Sequence, residues 1–388
     1  MSKYEKYLAL AQGRLKELVF YLPKDRGVFI GLPNKFVAPS SKEGIFANDQ
    51  FYWDSYFIIL GLLAAGQVGL AKGMVDNFAY LQKRFGIIPN RNRFFNLGIS
   101  QPPFLSSMTR EVYDASPDKR WLAKMAAIIE NELKTYWMNG SNAERHLAHA
   151  GLSRYCDHYI NHVTAIHESG WDMTSRFHDH CLNYLPVDLN SLLYKYESDL
   201  ADFFAILGNK AKSKKYSANA QKRKRAMVKL MWNEKKKFFF DYNYKHKTRD
   251  DLYTLAGFFP LWAGLATPDQ AKKARGALKI FEHKWGLANT QKTGLAKNFR
   301  QWDYPNGWAN LQWIVIKGLM NYGFDQDARR LAQIWVGLTA RIFDRTDDFW
   351  EKYNVVAGNV GKSERYPNQK GFGWTNAIFV KLIKEFDL

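Results

Sequence analysis

Apolar positions along this chain recur with the period of a helix. Between Leu185 and Leu207 they fall at Leu185, Leu189, Leu192, Leu193, Tyr196, Leu200, Phe203, Phe204 and Leu207. Those spacings, mostly of three and four, lay one greasy stripe along a helix. Similar stripes run through residues 6–20, 55–66, 68–85, 118–137, 211–231, 269–281, 307–322, 325–343 and 374–386. Ser116-Pro117 and Thr267-Pro268 each put a capping hydroxyl before a proline at the first helical position, and Gln270 completes a capping box with Thr267. Glycines after Phe85 and Leu207 mark stops. Strand-like alternation is rare and is best at 237–244. The pattern predicts an all-α protein of roughly ten to thirteen helices. Helical hairpins with long loops at one end point to a toroid, with a plain bundle and an open solenoid as the other arrangements of the same period. No linker or composition break divides the chain, so it reads as one domain, 1–388.

Composition narrows the class. An aromatic share of 16% excludes intrinsic disorder. The longest apolar stretch, Tyr56 to Gly66, is far short of the ~20 residues a bilayer requires. The first twenty residues read as a charged amphipathic helix rather than a signal peptide. Two cysteines, Cys156 and Cys181, make no disulfide framework. A reduced, cytoplasmic, soluble protein with no membrane partner is expected. The net charge, 56 − 37 = +19, raises nucleic-acid binding as a possibility. The basic residues are spread over the whole length, however, and the dense runs at 210–215 and 222–225 sit on one helix pattern, where a solvated face explains them. A field that attracts anionic small molecules is the milder consequence, and no nucleic-acid partner is expected.

The long loops concentrate aromatic, amide and acidic residues. Phe51–Tyr56, His167–Asp172, Gln301–Trp308 and Phe349–Tyr353 each couple a carboxylate to a tryptophan, and Gly371–Asn376 follows. A single such pair is ordinary core packing. Four in loops point to a shared polar cleft, with flat rings for sugar faces and amides and carboxylates for hydroxyls. Paired carboxylates beside aromatics are the tools of glycoside hydrolysis: one protonates the departing oxygen, and the other activates water or attacks the sugar. The rival chemistry is a metal site, because seven of the nine histidines lie between His146 and His180, with Cys156 and Cys181 close by. The spacings fit no standard zinc pattern, and no cofactor is expected.

Five segments together give a resemblance. YWDSYF at 52–57, ESGWDMTSRF at 168–177, QWDYPNGWA at 301–309, EKY at 351–353 and GFGWTN at 371–376 resemble, in order, signature segments of the trehalase family and related (α/α)6 glycoside hydrolases. The resemblance implies a single (α/α)6 toroid with catalytic loops at one end. It also implies an inverting α-glycosidase with Asp172 as general acid and Glu351 as general base, the two carboxyls ~6.5–9.5 Å apart. It further implies a sugar pocket lined by Tyr52, Trp53, Asp54, Asn90, Arg93, Gln101, Trp171, Gln301, Trp302, Asp303 and Trp374. The bland alternative for Asp172 is a helix N-cap ahead of Thr174 and Ser175. The implied substrate is a small α-glucoside, trehalose or a similar disaccharide.

Three departures from the trehalase pattern favour another substrate. Pro39-Ser40-Ser41-Lys42 replaces a Pro-Gly-Gly-Arg run, no arginine lies between Arg154 and Glu168, and Arg365-Tyr366-Pro367 replaces Glu-Tyr-Pro. With the run at 185–190, they resemble glucosylglycerate and mannosylglycerate hydrolases, where Arg365 or Lys42 would meet a carboxylate. A carbohydrate-binding protein that has lost catalysis is a more distant alternative. The segment Ser40–Asp49 is a candidate lid.

Overall fold

The computed structural model describes residues 3–138, 145–294, 300–362 and 366–388. Among these, fourteen α-helical segments follow in chain order: α1 (Glu5–Glu17), α2 (Tyr52–Ala64), α3 (Val68–Phe85), α4 (Leu105–Ala115), α5 (Lys119–Glu132), α6 (His162–Glu168), α7 (Val187–Ile206), α8 (Lys210–Met231), α9 (Phe259–Trp262), α10 (Pro268–Arg275), α11 (Leu278–Phe281), α12 (Ala309–Met320), α13 (Asp325–Thr346) and α14 (Gly373–Phe386). Strands are two or three residues long and pair locally as antiparallel ribbons.

Six of the helices close a ring. α2 packs on α4, α4 on α7, α7 on α9, α9 on α12, α12 on α14, and α14 returns to α2. An outer layer alternates with them along the chain. α1 lies on α14, α3 on α2 and α4, α5 on α4 and α7, α8 on α7, and α13 on α12 and α14, while α10 packs on the Phe238–Phe239 strand. The two layers differ in sequence for a physical reason. An inner helix has neighbours all round, so α2 is buried continuously from Tyr52 to Leu62. An outer helix buries one stripe, and α8 hides only Tyr216, Ala220, Arg223, Met227 and Met231, at spacings of three and four. The arrangement is the (α/α)6 toroid; a bundle and an open solenoid are excluded by the contact of α14 with α2.

Helix ends mostly follow the sequence signals. Thr267 and Gln270 form the expected capping box, and Gly86 closes α3 in the left-handed conformation. Ser116 is a correction, because it ends α4. The cap of α5 is Asp118, whose carboxylate accepts from the Arg120 and Trp121 amides, a site where its charge also meets the helix dipole. The pattern passed over α4, whose apolar positions Leu105, Met108 and Val112 share their buried face with Ser106, Ser107 and Thr109.

Candidate active site

Segments leading into five of the six inner helices converge on one cavity of about 260 Å³. Its wall contains Trp53 and Asp54 at the start of α2, Asn90, Arg91, Asn96, Ile99 and Gln101 ahead of α4, and His167, Gly170 and Asp172 ahead of α7. Trp302 and Trp308 enter ahead of α12, with Glu351, Tyr366, Phe372 and Trp374 around the start of α14. An indole belt shapes it. Trp302 stacks on Trp308 at 4.0 Å between ring centroids and 6° between planes. Trp53 leans on Trp302 at 5.5 Å and meets Trp374 edge-on at 5.7 Å. Gly170 has φ +74°, and a Cβ there would stand 2.7 Å from the Trp53 ring. Only glycine lets the Glu168–Asp172 segment turn against that indole.

Among the described residues, three carboxylates face the cavity in three different environments. Asp172 is half-buried; its Oδ2 accepts from Gln301 Nε2 at 3.0 Å and its Oδ1 from Trp302 Nε1 at 3.3 Å. The N-cap alternative for Asp172 is overturned, because the next helical turn, Arg176–Asp179, starts after Ser175, and its first amide donates to Thr174 Oγ1. Glu351 is buried. Burial pushes its carboxyl above the ordinary range, and the Lys352 ammonium and Tyr366 hydroxyl oppose that push. Lys352 Nζ donates to Oε2 at 2.7 Å and Tyr366 Oη to Oε1 at 2.8 Å. Lys352, itself fully buried, lies 4.7 Å from the Trp308 ring centre. Asp54 is buried, and its carboxyl is held well above the ordinary range by that burial and by the nearby charges of Glu351 and Asp172.

The other residues singled out from the sequence take supporting places. Tyr52 turns away from the cavity, its hydroxyl among Glu132, Tyr196 and the Leu105 amide. Trp171 packs behind Trp302 at 5.4 Å, with the Arg176 guanidinium over its ring. Arg176 is locked between Asp188 and Asp241. Asp303 accepts from Thr174 Oγ1 and the Ser175 amide, and so ties the segment after Asp172 to the one carrying Trp302. Gln301 works through Asp172, as above. Arg93 is not in the wall. Its guanidinium grips Asp49 at 2.6 and 2.8 Å, because Asp49 is fully buried and needs a cation. Arg91, which the sequence reading passed over, shares Asp49 and does reach the wall. Arg365 lies outside the described residues, and Lys42 is exposed and no part of the wall.

Lys352, Tyr366 and Trp308 were also passed over, although each lay inside or beside a quoted motif. The Ser40–Asp49 segment packs over the cavity, with Phe46 in its wall and edge-on to Tyr366 at 5.7 Å. The Ile45 amide donates to Gln369 Oε1. The histidine-rich stretch is divided among separate partners. His146 Nε2 meets Glu168 at 3.1 Å, His178 Nε2 meets Asp250 at 3.2 Å, and the His162 and His180 rings pack edge-on. Among the described residues no group of three His, Cys, Asp or Glu side chains is placed to hold a metal ion.

A family model described as Trehalase matches residues 22–164 and 153–387. The chain is 35% identical to a periplasmic trehalase of Xanthomonas oryzae pv. oryzae, over 91% of this chain and 68% of that protein. Its fold superposes on neutral trehalase Nth1 from Saccharomyces cerevisiae with a TM-score of 0.81 and 32% identity, covering 90% of this chain and 73% of that one. It superposes on a mannosylglycerate hydrolase from Thermus thermophilus in complex with glucose with a TM-score of 0.72, covering 96% and 98%. At 20% identity that likeness is one of fold. No helix among the described residues is long and apolar enough to cross a membrane.

Proposed function

Since the chain belongs to the trehalase family and is a glycoside hydrolase, we propose that it cleaves trehalose into two glucose molecules with inversion at the attacked carbon, using Asp172 as acid and Glu351 as base. The observation that carries this reading is the pair of carboxylates on one cavity, each held by different neighbours. Protonated Asp172 gives its proton to the glycosidic oxygen as that bond breaks. Glu351 takes a proton from water, whose oxygen attacks the anomeric carbon from the opposite face. One glucose leaves with the α configuration it had, and the other leaves as β. The two carboxyls exchange protonation state and are reset through solvent.

The surroundings fit these roles. Burial leaves Glu351 more basic than an exposed carboxylate, and Lys352 and Tyr366, which favour its charged form, oppose that push. Gln301 and Trp302 fix the direction of Asp172. Asp54 and Gln101 offer acceptors to sugar hydroxyls, and the indole belt offers flat apolar faces. Trehalose is preferred over glycerate glycosides because the relatives named above at 35% and 32% identity are trehalases, while the mannosylglycerate hydrolase is 20% identical. We place the whole activity in one toroidal domain, and in the cytoplasm, where two buried thiols without a disulfide are at home. Cell fractionation with an antibody checks the compartment. Glucose release from trehalose by purified protein, set against Asp172→Asn and Glu351→Gln, checks the activity. A chain that binds the sugar without releasing glucose would instead be a retired binding protein.

A further inference from the structure

We propose that a cleft on the outer face of the toroid is a second binding site, for a phosphorylated sugar. The cleft lies between α1, α13 and the ribbon Glu282–Leu287, and its volume of about 480 Å³ is within the usual range of ligand sites. Lys3, Lys284 and Arg341 stand around it. Among the described residues, Asp344 is the sole carboxylate in its wall, and the Tyr7 hydroxyl already donates to it at 2.8 Å. Three cations against one anion leave +2, which matches a phosphate dianion. The chain's overall charge of +19 draws such a ligand in. Aromatic faces accompany the cations. Arg341 lies 4.2 Å and Lys284 5.2 Å from the Trp285 ring centre, and Lys3 lies 5.3 Å from that of Tyr4. Rings beside cations are the chemistry that holds a sugar face together with its phosphate. Among the described residues, the wall of the catalytic cavity holds three carboxylates and one arginine, Arg91.

The cleft is also joined to the base. Arg341 Nη1 donates to the Gly358 carbonyl, and the Trp285 amide donates to the Val355 carbonyl. Gly358 has φ +69°, and a Cβ there would fall 2.4 Å from Trp285 Nε1 and 2.7 Å from Arg341 Nη1. Those two side chains are therefore seated on the turn that joins Lys352–Asn354 to Asn359–Val360, and the first of these strands begins one residue after Glu351. A phosphate that reorients Arg341 moves the support of that turn, so occupancy of the cleft changes turnover at Glu351.

The test is calorimetric titration of the full chain at low ionic strength with glucose 6-phosphate, inorganic phosphate and glucose in turn. Saturable binding of glucose 6-phosphate is expected, at least tenfold tighter than inorganic phosphate; any heat from glucose belongs to the catalytic cavity and should be the same in the parent and in both cleft variants. Those variants, Lys284→Gln, which leaves the Gly358 contact intact, and Arg341→Gln, should each weaken glucose 6-phosphate binding about tenfold. Glu351→Gln should leave it unchanged, which separates the cleft from the catalytic cavity whatever the enzyme's substrate proves to be. Equal affinity for inorganic phosphate would overturn the sugar half of the proposal. Absence of saturable binding, or binding undiminished in both cleft variants, would overturn it entirely. Saturating ligand should change kcat severalfold in the parent, and Lys284→Gln should need about tenfold more ligand for the same change; an unchanged parent kcat would overturn the link to Glu351.

Discussion

The two sides of the cavity solve opposite problems. On the acid side, Asp172 sits half-buried on a loop, steered by a neutral amide and an indole that come from the segment before α12. On the base side, Glu351 is buried beside an ammonium and a phenol contributed by its own chain neighbourhood. A general acid must gain and lose a proton within each cycle, and Gln301 and Trp302 are donors that aim it. A general base inside apolar walls must be kept ionised, which takes a cation. The difference teaches that the acid depends on distant loops for aim, and the base on adjacent residues for charge.

The largest effect tests the division of labour. Asp172→Asn and Glu351→Gln are each expected to lower kcat on trehalose by about 10²–10⁴-fold. Sugar binding, measured by tryptophan fluorescence, should survive in both. Retained turnover in either would remove that residue from its role.

Lys352→Met should come next, because it leaves Glu351 buried without its cation. Burial then acts on the Glu351 carboxyl unopposed by that ammonium, so the acid limb of the kcat/KM profile should move to higher pH. Thermal unfolding should show a loss of about 3–5 kcal/mol, the usual cost of orphaning one member of a buried pair. An unmoved acid limb would mean that Lys352 is structural only.

Tyr366→Phe removes one hydroxyl donor from the same carboxylate. The acid limb should move in the same direction by less, with kcat down about tenfold and stability lower by ~1 kcal/mol. A shift as large as that of Lys352→Met would make the phenol, rather than the ammonium, the main support of the base.

The smallest effect concerns Asp54, which stands near both sides. Burial, then the Glu351 and Asp172 charges, raise its carboxyl well above 3.8. A carboxyl raised on folding adds stability fully only below its ordinary value, and the contribution is lost as pH rises through the folded value. Asp54→Asn should therefore raise Tm at neutral pH while lowering activity, and the gain should shrink toward about pH 4. Melting curves across that range check the sign. A variant that is less stable than the parent at neutral pH would show that Asp54 is stabilised where it stands.

Much of this was legible in the sequence. The 3.6-residue stripes marked nearly all the long helices, since burial of one face leaves a periodic trace. Closure of the ring left none, because α2 meeting α14 is a contact between residues some three hundred positions apart. α4 escaped because serines and a threonine occupy much of its buried face. In the site, Trp-carboxylate pairs in loops drew attention to Asp54, Asp172, Trp302 and Glu351, all of which reach the cavity wall. What spacing could not separate was a wall residue from the one behind it. Arg91 and Arg93 are two positions apart and share Asp49, yet only Arg91 enters the wall. Tyr52 and Trp53 are adjacent, and the helix turns one toward Glu132 and the other toward the cavity. Lys352 was hidden by its chemistry, since a lysine reads as solvent-exposed until its buried partner is seen.

The most direct test is the anomeric composition of the first glucose released from trehalose, followed by proton NMR before mutarotation mixes the forms. The account predicts α- and β-glucose in equal amounts at the earliest times, one from the leaving group and one from the inverted carbon. Release of α-glucose alone would mean retention and would contradict Glu351 as a base acting on water.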